Sequence, residues 1–395
     1  MTQYPCARGR AFVCKNIGDY VQSIASRQFV SPIDDYIEQE EADTYVSPDG
    51  RPCRLIMNGW FQWRAENWPP SKDVYPLLVS MHISPLREEQ LLTEKGVEFL
   101  RKYSPVGCRD RYTENLLQRH GVPAYFSACV TLTLGNKYRL DDESQRCGVC
   151  FVDPYFEIPE LFRKEDGKAI LCESTFNQFV DGYSRHSEII NKLAALPFFA
   201  AYSPTGFLDR DDSPYRRLYK AYCFYSVYSK KFSDELLMGA EYITHWLDVD
   251  MANQSNQDLL DIAESLVRKY SKAALVVTSR IHAGLPCLGM GTPVVFVANE
   301  QVVSETGSFN TPGRLGGLVE LFRTLKLENG VFSTDDPVLR TFEKFSPDSE
   351  FSNKEEWRNY AQRLTTQLTA FMADDFSTEK GEILRNMFNP SCEAE

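Results

Sequence analysis

The amino-acid sequence predicts an α/β protein in which two doubly wound, mainly parallel sheets face a cleft. Three observations carry this expectation. Short apolar runs alternate with helical patterns along most of the chain, the rhythm that feeds parallel strands through crossover helices. The longest apolar runs, Ala273–Thr278 and Pro293–Ala298, have buried-strand length, and Ala274–Val277 is apolar on both faces, as strands covered by helices on each side are. The rhythm pauses over the polar stretch Leu134–Arg146, which holds Gly135-Asn136, and then resumes.

The elements follow in order. A strand at Gly9–Lys15 leads through Asn16-Ile17-Gly18-Asp19 into a helix over Tyr20–Phe29. Strands are expected at Cys53–Asn58 and Leu77–His82, with a helix over Arg87–Tyr103 after the second. Val106–Cys108 then passes through Arg109-Asp110 into a helix over Tyr112–His120. The second half opens with a strand at Gly148–Val152. It continues with a strand at Ala169–Glu173, a helix over Ser187–Leu196 and a strand at Phe198–Tyr202. An aromatic-basic helix between Tyr215 and Phe232 precedes a strand at Ala240–Thr244. A helix over Gln257–Tyr270, a strand at Ala274–Ser279, a helix over Ile281–Gly289 and a strand at Pro293–Val297 complete the pattern. Lys354–Met387 reads as mostly helical, a brace between the halves. The expected division is residues 1–140, residues 141–350 with an insertion near 204–250, and a helical segment over 351–395.

Composition narrows the function classes. A chain of 395 residues suggests two or three domains and can bury large cores without disulfides or structural metals. With 43 Lys+Arg against 55 Asp+Glu the formal net charge is −12, so general binding to phosphate backbones is disfavoured. No apolar run approaches the length of a membrane span, and the first residues lack the apolar core of a secretory signal. Eleven scattered cysteines fit reduced thiols and a cytoplasmic protein. Cys147-Gly-Val-Cys150 is the only C-x-x-C pair and has no second pair at zinc-site spacing. Two strand thiols are the plainer reading.

Three strand-to-helix junctions hold polar residues where ligands of doubly wound sheets bind. In Asn16-Ile-Gly18-Asp19-Tyr-Val-Gln22, Gly18 permits a tight turn, and Asp19 with Gln22 resembles a capping box. The free N–H groups of that helix start also suit an anionic or hydroxylated ligand. In Gly107-Cys108-Arg109-Asp110, an arginine stands at a strand tip, either in an ion pair with Asp110 or Asp19 or facing a ligand. In Thr278-Ser279-Arg280-Ile281-His282, the buried strand ends in a helix start carrying Arg280 and His282. The helix dipole there favours a bound anion and a neutral histidine.

These junctions resemble the polysaccharide pyruvyl transferase family. The resemblance rests on Asn16-x-Gly18-Asp19-x-x-Gln22 and on Val106-Gly-x-Arg109-Asp110 with Thr113 and Leu117 through Gly121-Val122. It rests also on Val277-Thr-Ser-Arg280-Ile-His282-Ala-Gly-Leu with Gly291-Thr-Pro293-Val, all in the family's order over about residues 10 to 300. It implies a GT-B-like pair of Rossmann-like domains. It implies transfer of the pyruvyl group of phosphoenolpyruvate to a sugar diol, giving a cyclic ketal in capsular, exopolysaccharide or cell-wall polymer synthesis. Arg280 matches the family's Arg-x-His motif and Arg109 its Arg-Asp motif. Planar guanidinium groups bind phosphate and carboxylate in bidentate fashion, so both are expected at the donor, with Asn16, Gly18 and Asp19. His282 is the first candidate for proton transfer. No cofactor is expected, phosphoenolpyruvate being the donor substrate.

Other residues are candidates for acceptor contacts or a second acid–base. His82 and His245 follow strands, and Asn58 and Trp60 end another, where tryptophan beside glycine suits sugar stacking. Arg314, in Thr311-Pro-Gly-Arg-Leu-Gly-Gly317, lies on a loop that can reach an anion. Residues 204–250 depart from the family pattern. Asp209-Arg-Asp211-Asp212 and Asp248-Val-Asp250 carry D-x-D, read as solvated acidic loops. Between them Tyr215, Tyr219, Tyr222, Tyr225, Tyr228 and Phe232 recur at helical spacing, with Arg216, Arg217, Lys220, Lys230 and Lys231 interspersed. That face either packs on its own domain, stacks on sugars, or rests on the inner face of a membrane near a lipid-linked acceptor. Two other functions fit a similar fold. Metal or sugar-nucleotide dependence would mark a nucleotide-sugar glycosyltransferase. A non-catalytic saccharide-binding protein would have little use for Arg280 with His282.

Overall fold

A computed structural model describes residues 1–3, 16–61, 64–165, 167–203, 213–247, 254–299 and 315–373. Its centre is a six-stranded sheet in the C-terminal half. The spatial order is Glu241–Ile243, Val149–Val152, Leu275–Thr278, Val294–Ala298, Arg323–Glu328 and Val331–Ser333. The first five strands are parallel and the last is antiparallel. The side-chain period of two divides this sheet between two cores. Cys150, Val152, Val276, Val294 and Phe296 join one apolar cluster, whereas Val149, Phe151, Val277, Val295 and Leu325 join the other. Burial on both faces is what the unbroken apolar runs predicted.

The N-terminal half supplies two parallel pairs, Cys53–Met57 with Val74–Leu78 and Val106–Cys108 with Ala124–Phe126. A parallel bridge from Met81 to Cys108 joins them. The first cluster runs without a break from Tyr20, Val21 and Ile24 of the first helix through these strands to Leu285 and Leu288. The helix Trp357–Ala373 packs across this half, as the expected brace does in part. Tyr125 donates to Gln367 Oε1 at 2.8 Å, Tyr75 stacks on Phe371, and Arg54 donates to the carbonyls of Phe371 and Met372.

Several expectations are corrected. Phe198–Tyr202 is not a strand but lies on the short helix Pro197–Ala201, begun by Pro197 at its first position. The strand expected at Ala169–Glu173 becomes Lys168–Leu171, which pairs with Phe162–Glu165 in an exposed hairpin outside the main sheet. The helix expected over Arg87–Tyr103 is broken, because Thr93 caps a new helix, Glu94–Lys102, by accepting from the Gly96 N–H. The helix at Ser187–Leu196 is the last part of Glu173–Ala194, which kinks at His186. The strand at Gly9–Lys15, both D-x-D clusters and Arg314 lie outside the described residues.

The aromatic-basic helix is Pro214–Tyr228, and its stripe forms the second core rather than a surface. Tyr219, Phe224, Tyr225, Tyr228 and Phe232 are buried, and Phe151 meets Phe224 and Tyr228 edge to face at 5.6 and 5.7 Å. The hydroxyls that burial would strand donate to backbone, Tyr219 to Pro159 O and Tyr228 to Tyr155 O, each at 2.8 Å. Lys220 is buried too, with Nζ 3.3 Å from Ala200 O. Of the readings open from the sequence, packing on its own domain is the one most of the stripe follows, with Tyr215 alone of the six rings exposed. Rings at this spacing had a core to fill. No helix among the described residues is long and apolar enough to cross a membrane.

The helix Ile281–Met290 is buried all round and meets the Val130–Leu134 turn backbone to backbone. A Cβ on Gly289 would lie 2.3 Å from the Leu132 carbonyl oxygen. Gly289→Ala is expected to destabilise the protein by roughly 1–3 kcal/mol, the usual cost of overpacking. A urea unfolding midpoint measured against wild type checks this.

Candidate active site

The expected residues gather where the parallel strands of both halves end. Asn16 caps the helix Ile17–Arg27, accepting from the Gly18 N–H at 3.1 Å. Asn16, not Asp19, is thus the cap, and Asp19 lies in the first turn, where Gln22 Nε2 donates to it at 3.4 Å. Gly18 is small because His282 is beside it. A Cβ there would stand 3.1 Å from His282 Cβ, 3.2 Å from its Nδ1 and 3.0 Å from Asn16 Oδ1. The first and third junctions are therefore in contact.

Arg109 carries the second junction to the same helix. Its Nη1 lies 3.5 Å from Gln22 Oε1, at the limit of a hydrogen bond. The residue is 1% exposed, and its Nε and Nη2 are buried with no hydrogen-bond partner among the described residues. The ion pair with Asp110 or Asp19 does not form among the described residues. Asp110 is engaged elsewhere: it caps Arg111–Arg119 by accepting from Thr113 N, and it accepts from His82 Nδ1 at 2.7 Å. His82 and Asp110 are both fully buried, and the His82 ring lies 5.4 Å from that of Trp60. Asn58 is a strut, donating to Gln22 O and accepting from Ser26 Oγ.

The third junction is fixed from several sides. Thr278 Oγ1 accepts from Arg280 N at 2.9 Å and donates to Val152 O at 2.7 Å. Arg280 Nε donates to Asp153 Oδ2 at 3.1 Å, and its guanidinium sits 5.1 Å from the Trp246 ring centroid. The same Asp153 oxygen accepts from His245 N at 2.9 Å, and His245 O accepts from Ile17 N at 2.9 Å. One chain of bonds thus links Arg280 to the first helix.

His245 is buried, with Nε2 2.8 Å from the Tyr270 hydroxyl. Burial lowers its pKa to about 4, the Asp153 charge opposing this and Arg280 adding to it. The unfolded chain then binds the proton near pH 6.5 and the folded one only near pH 4. Stability is constant above pH 6.5, and about 3 kcal/mol is lost as pH falls through that window. His245→Asn is expected to flatten the fall of the melting temperature between pH 6.5 and 4. An unchanged slope would place the acid sensitivity elsewhere.

Cys147 is exposed and Cys150 is buried, the latter with its thiol pushed by burial to about 12, an inert state for a thiol. Asp153 and Trp246 were not singled out from sequence, although each directly follows or neighbours a strand tip in the way Arg109 and Arg280 do.

The site is thus an α/β strand-end site with two arginines and a histidine around one helix start. The family model for polysaccharide pyruvyl transferase matches residues 16–301, and the chain belongs to that family. It is accordingly a pyruvyl transferase with a saccharide acceptor. Comparison with curated proteins and with solved structures found no match.

Proposed function

We propose that the enzyme transfers the pyruvyl group of phosphoenolpyruvate to two hydroxyls of a saccharide, forming a cyclic ketal and releasing phosphate. The observation that carries this reading is Arg109. A buried guanidinium with two nitrogens that have no partner among the described residues is costly by itself, and a dianionic donor would satisfy it. Arg280 supports the same reading. Its Nε is held by Asp153, and its terminal nitrogens make no hydrogen bond among the described residues. The two arginines take the phosphate and carboxylate ends of the donor, in a GT-B-like cleft where the strand ends of the two halves meet. Asn16, Gly18 and Asp19 form its floor; the N–H groups of Ile17, Gly18 and Asp19 are given to His245 O, Asn16 Oδ1 and Asn16 O, so the anion's charge falls to the two arginines.

His282 delivers the proton. Protonation of the donor's methylene carbon gives an oxocarbenium-like centre, which the first sugar hydroxyl attacks. Phosphate then leaves and the second hydroxyl closes the ring. Of the two hydroxyl protons, one is balanced by the new methyl group and the other leaves with phosphate. A positioned acid–base of this kind typically contributes about 10²–10⁴ in rate. Trp60, whose ring lies 5.4 Å from that of His82, is the acceptor-side candidate, and His82 is held by Asp110 through Nδ1. The acceptor is a saccharide diol of a surface polymer, free or lipid-linked.

Arg280→Lys keeps the charge and loses the planar fork. Calorimetric titration with phosphoenolpyruvate is expected to show donor affinity reduced about tenfold or more, with the melting temperature little changed. Wild-type affinity would remove Arg280 from the donor site.

A further inference from the structure

We propose that Asp153 is the positioning residue that aims Arg280 at the donor anion, an inference that rests on the donor reading of Arg280. Three features set it apart from an ordinary strand-end carboxylate. First, it stands directly after Val149–Val152 with φ +39°, a left-handed conformation that few residues other than glycine, asparagine and aspartate hold without strain. Its own N–H is anchored to Ile243 O at 3.0 Å. Secondly, its side chain is 4% exposed, so the ion pair with Arg280 is shielded on the carboxylate side. Thirdly, one oxygen accepts two bonds, from Arg280 Nε and from His245 N.

These bonds determine what Arg280 offers. A guanidinium engaged through Nε keeps its two terminal nitrogens on the far edge, the edge that matches a carboxylate or phosphate. The Arg280 side chain is 27% exposed, and its terminal nitrogens make no hydrogen bond among the described residues, which leaves them for a ligand. The remaining freedom, rotation of the plane, is restricted by the Trp246 ring below it. Asp153 also fixes Trp246, because the His245 N–H it holds belongs to the adjoining residue. The carboxylate therefore acts on the donor through Arg280, without touching it, and offsets one positive charge before the anion arrives.

Glycine at this position keeps the left-handed backbone and removes the carboxylate, so Asp153→Gly isolates the side chain. Donor affinity by titration with phosphoenolpyruvate should fall about tenfold, the weight of a hydrogen bond to a charged group. The donor KM should rise in step, with kcat at saturating donor nearly unchanged. In an Arg280→Lys background, where the fork is already lost, Asp153→Gly should cost no more than about twofold further. Asp153→Asn, which retains an acceptor and also tolerates this backbone, should recover part of the affinity. It carries the same comparison if Asp153→Gly does not fold. Equal losses in both backgrounds, or no loss in wild type, would overturn the proposal, since Asp153 would then act on the fold alone. If Arg280→Lys itself binds the donor as wild type does, the donor reading fails, and the role of Asp153 falls with it.

Discussion

His282→Gln is expected to lower kcat by about 10²–10⁴-fold, the usual contribution of a positioned acid–base, while phosphoenolpyruvate still binds. His282 occupies the first turn of the buried helix Ile281–Met290 and packs closely against Gly18, where a Cβ would stand 3.1–3.2 Å from its side chain. Glutamine has similar reach and can hydrogen-bond, so the helix start keeps its packing, but its amide cannot carry a proton to carbon. Single-turnover phosphate release, donor titration and thermal melting separate the cases. A variant that melts far lower yet retains its turnover would make His282 a packing residue instead.

Arg109→Met is expected to weaken phosphoenolpyruvate binding by about 10²-fold, as loss of two charge-assisted bonds implies. The same change should stabilise the unliganded protein. Arg109 is fully buried, its Nε and Nη2 have no partner among the described residues, and the hydrogen bond it does make, to Gln22, is long. Replacing such a cation by an apolar chain of similar length removes an uncompensated desolvation cost, and buried ion groups replaced in this way have gained about 1–4 kcal/mol. Melting without donor should therefore rise and melting with saturating donor should gain less than in wild type. A variant that melts lower without donor would show that Arg109 supports the fold.

Much of this was legible in the chain. The strands around Val276, Val295 and Phe151 announce themselves by apolar runs, because helices cover both faces. Arg109, Arg280, His282 and Gly18 stand out because strand ends in such sheets are where polar residues have a use. What pairs with what was not legible. The choice of Asp110 for His82 over Arg109 depends on how Met81 and Cys108 register. Asp153 follows a strand like the others, but its value lies in contacts with Arg280 and His245, distant in sequence. Phe198–Tyr202 misled because five apolar residues fit a buried helical turn as well as a strand. The stripe from Tyr219 to Phe232 had the periodicity of a buried face and of an exposed one alike, and only the opposing rings of Phe151 and Phe199 decide between them.

In the proposed reaction two arginines and a histidine at these strand ends move a pyruvyl group from phosphoenolpyruvate to a saccharide diol. The direct measurement incubates the enzyme with phosphoenolpyruvate and a panel of galactosyl, mannosyl and glucosaminyl acceptors, following phosphate release and the product's proton spectrum together. The account predicts phosphate release that needs both substrates, one phosphate for each ketal methyl signal gained, and loss of both signals in His282→Gln. A product formed from a sugar nucleotide without phosphoenolpyruvate, or no acceptor-dependent phosphate release across the panel, would contradict it.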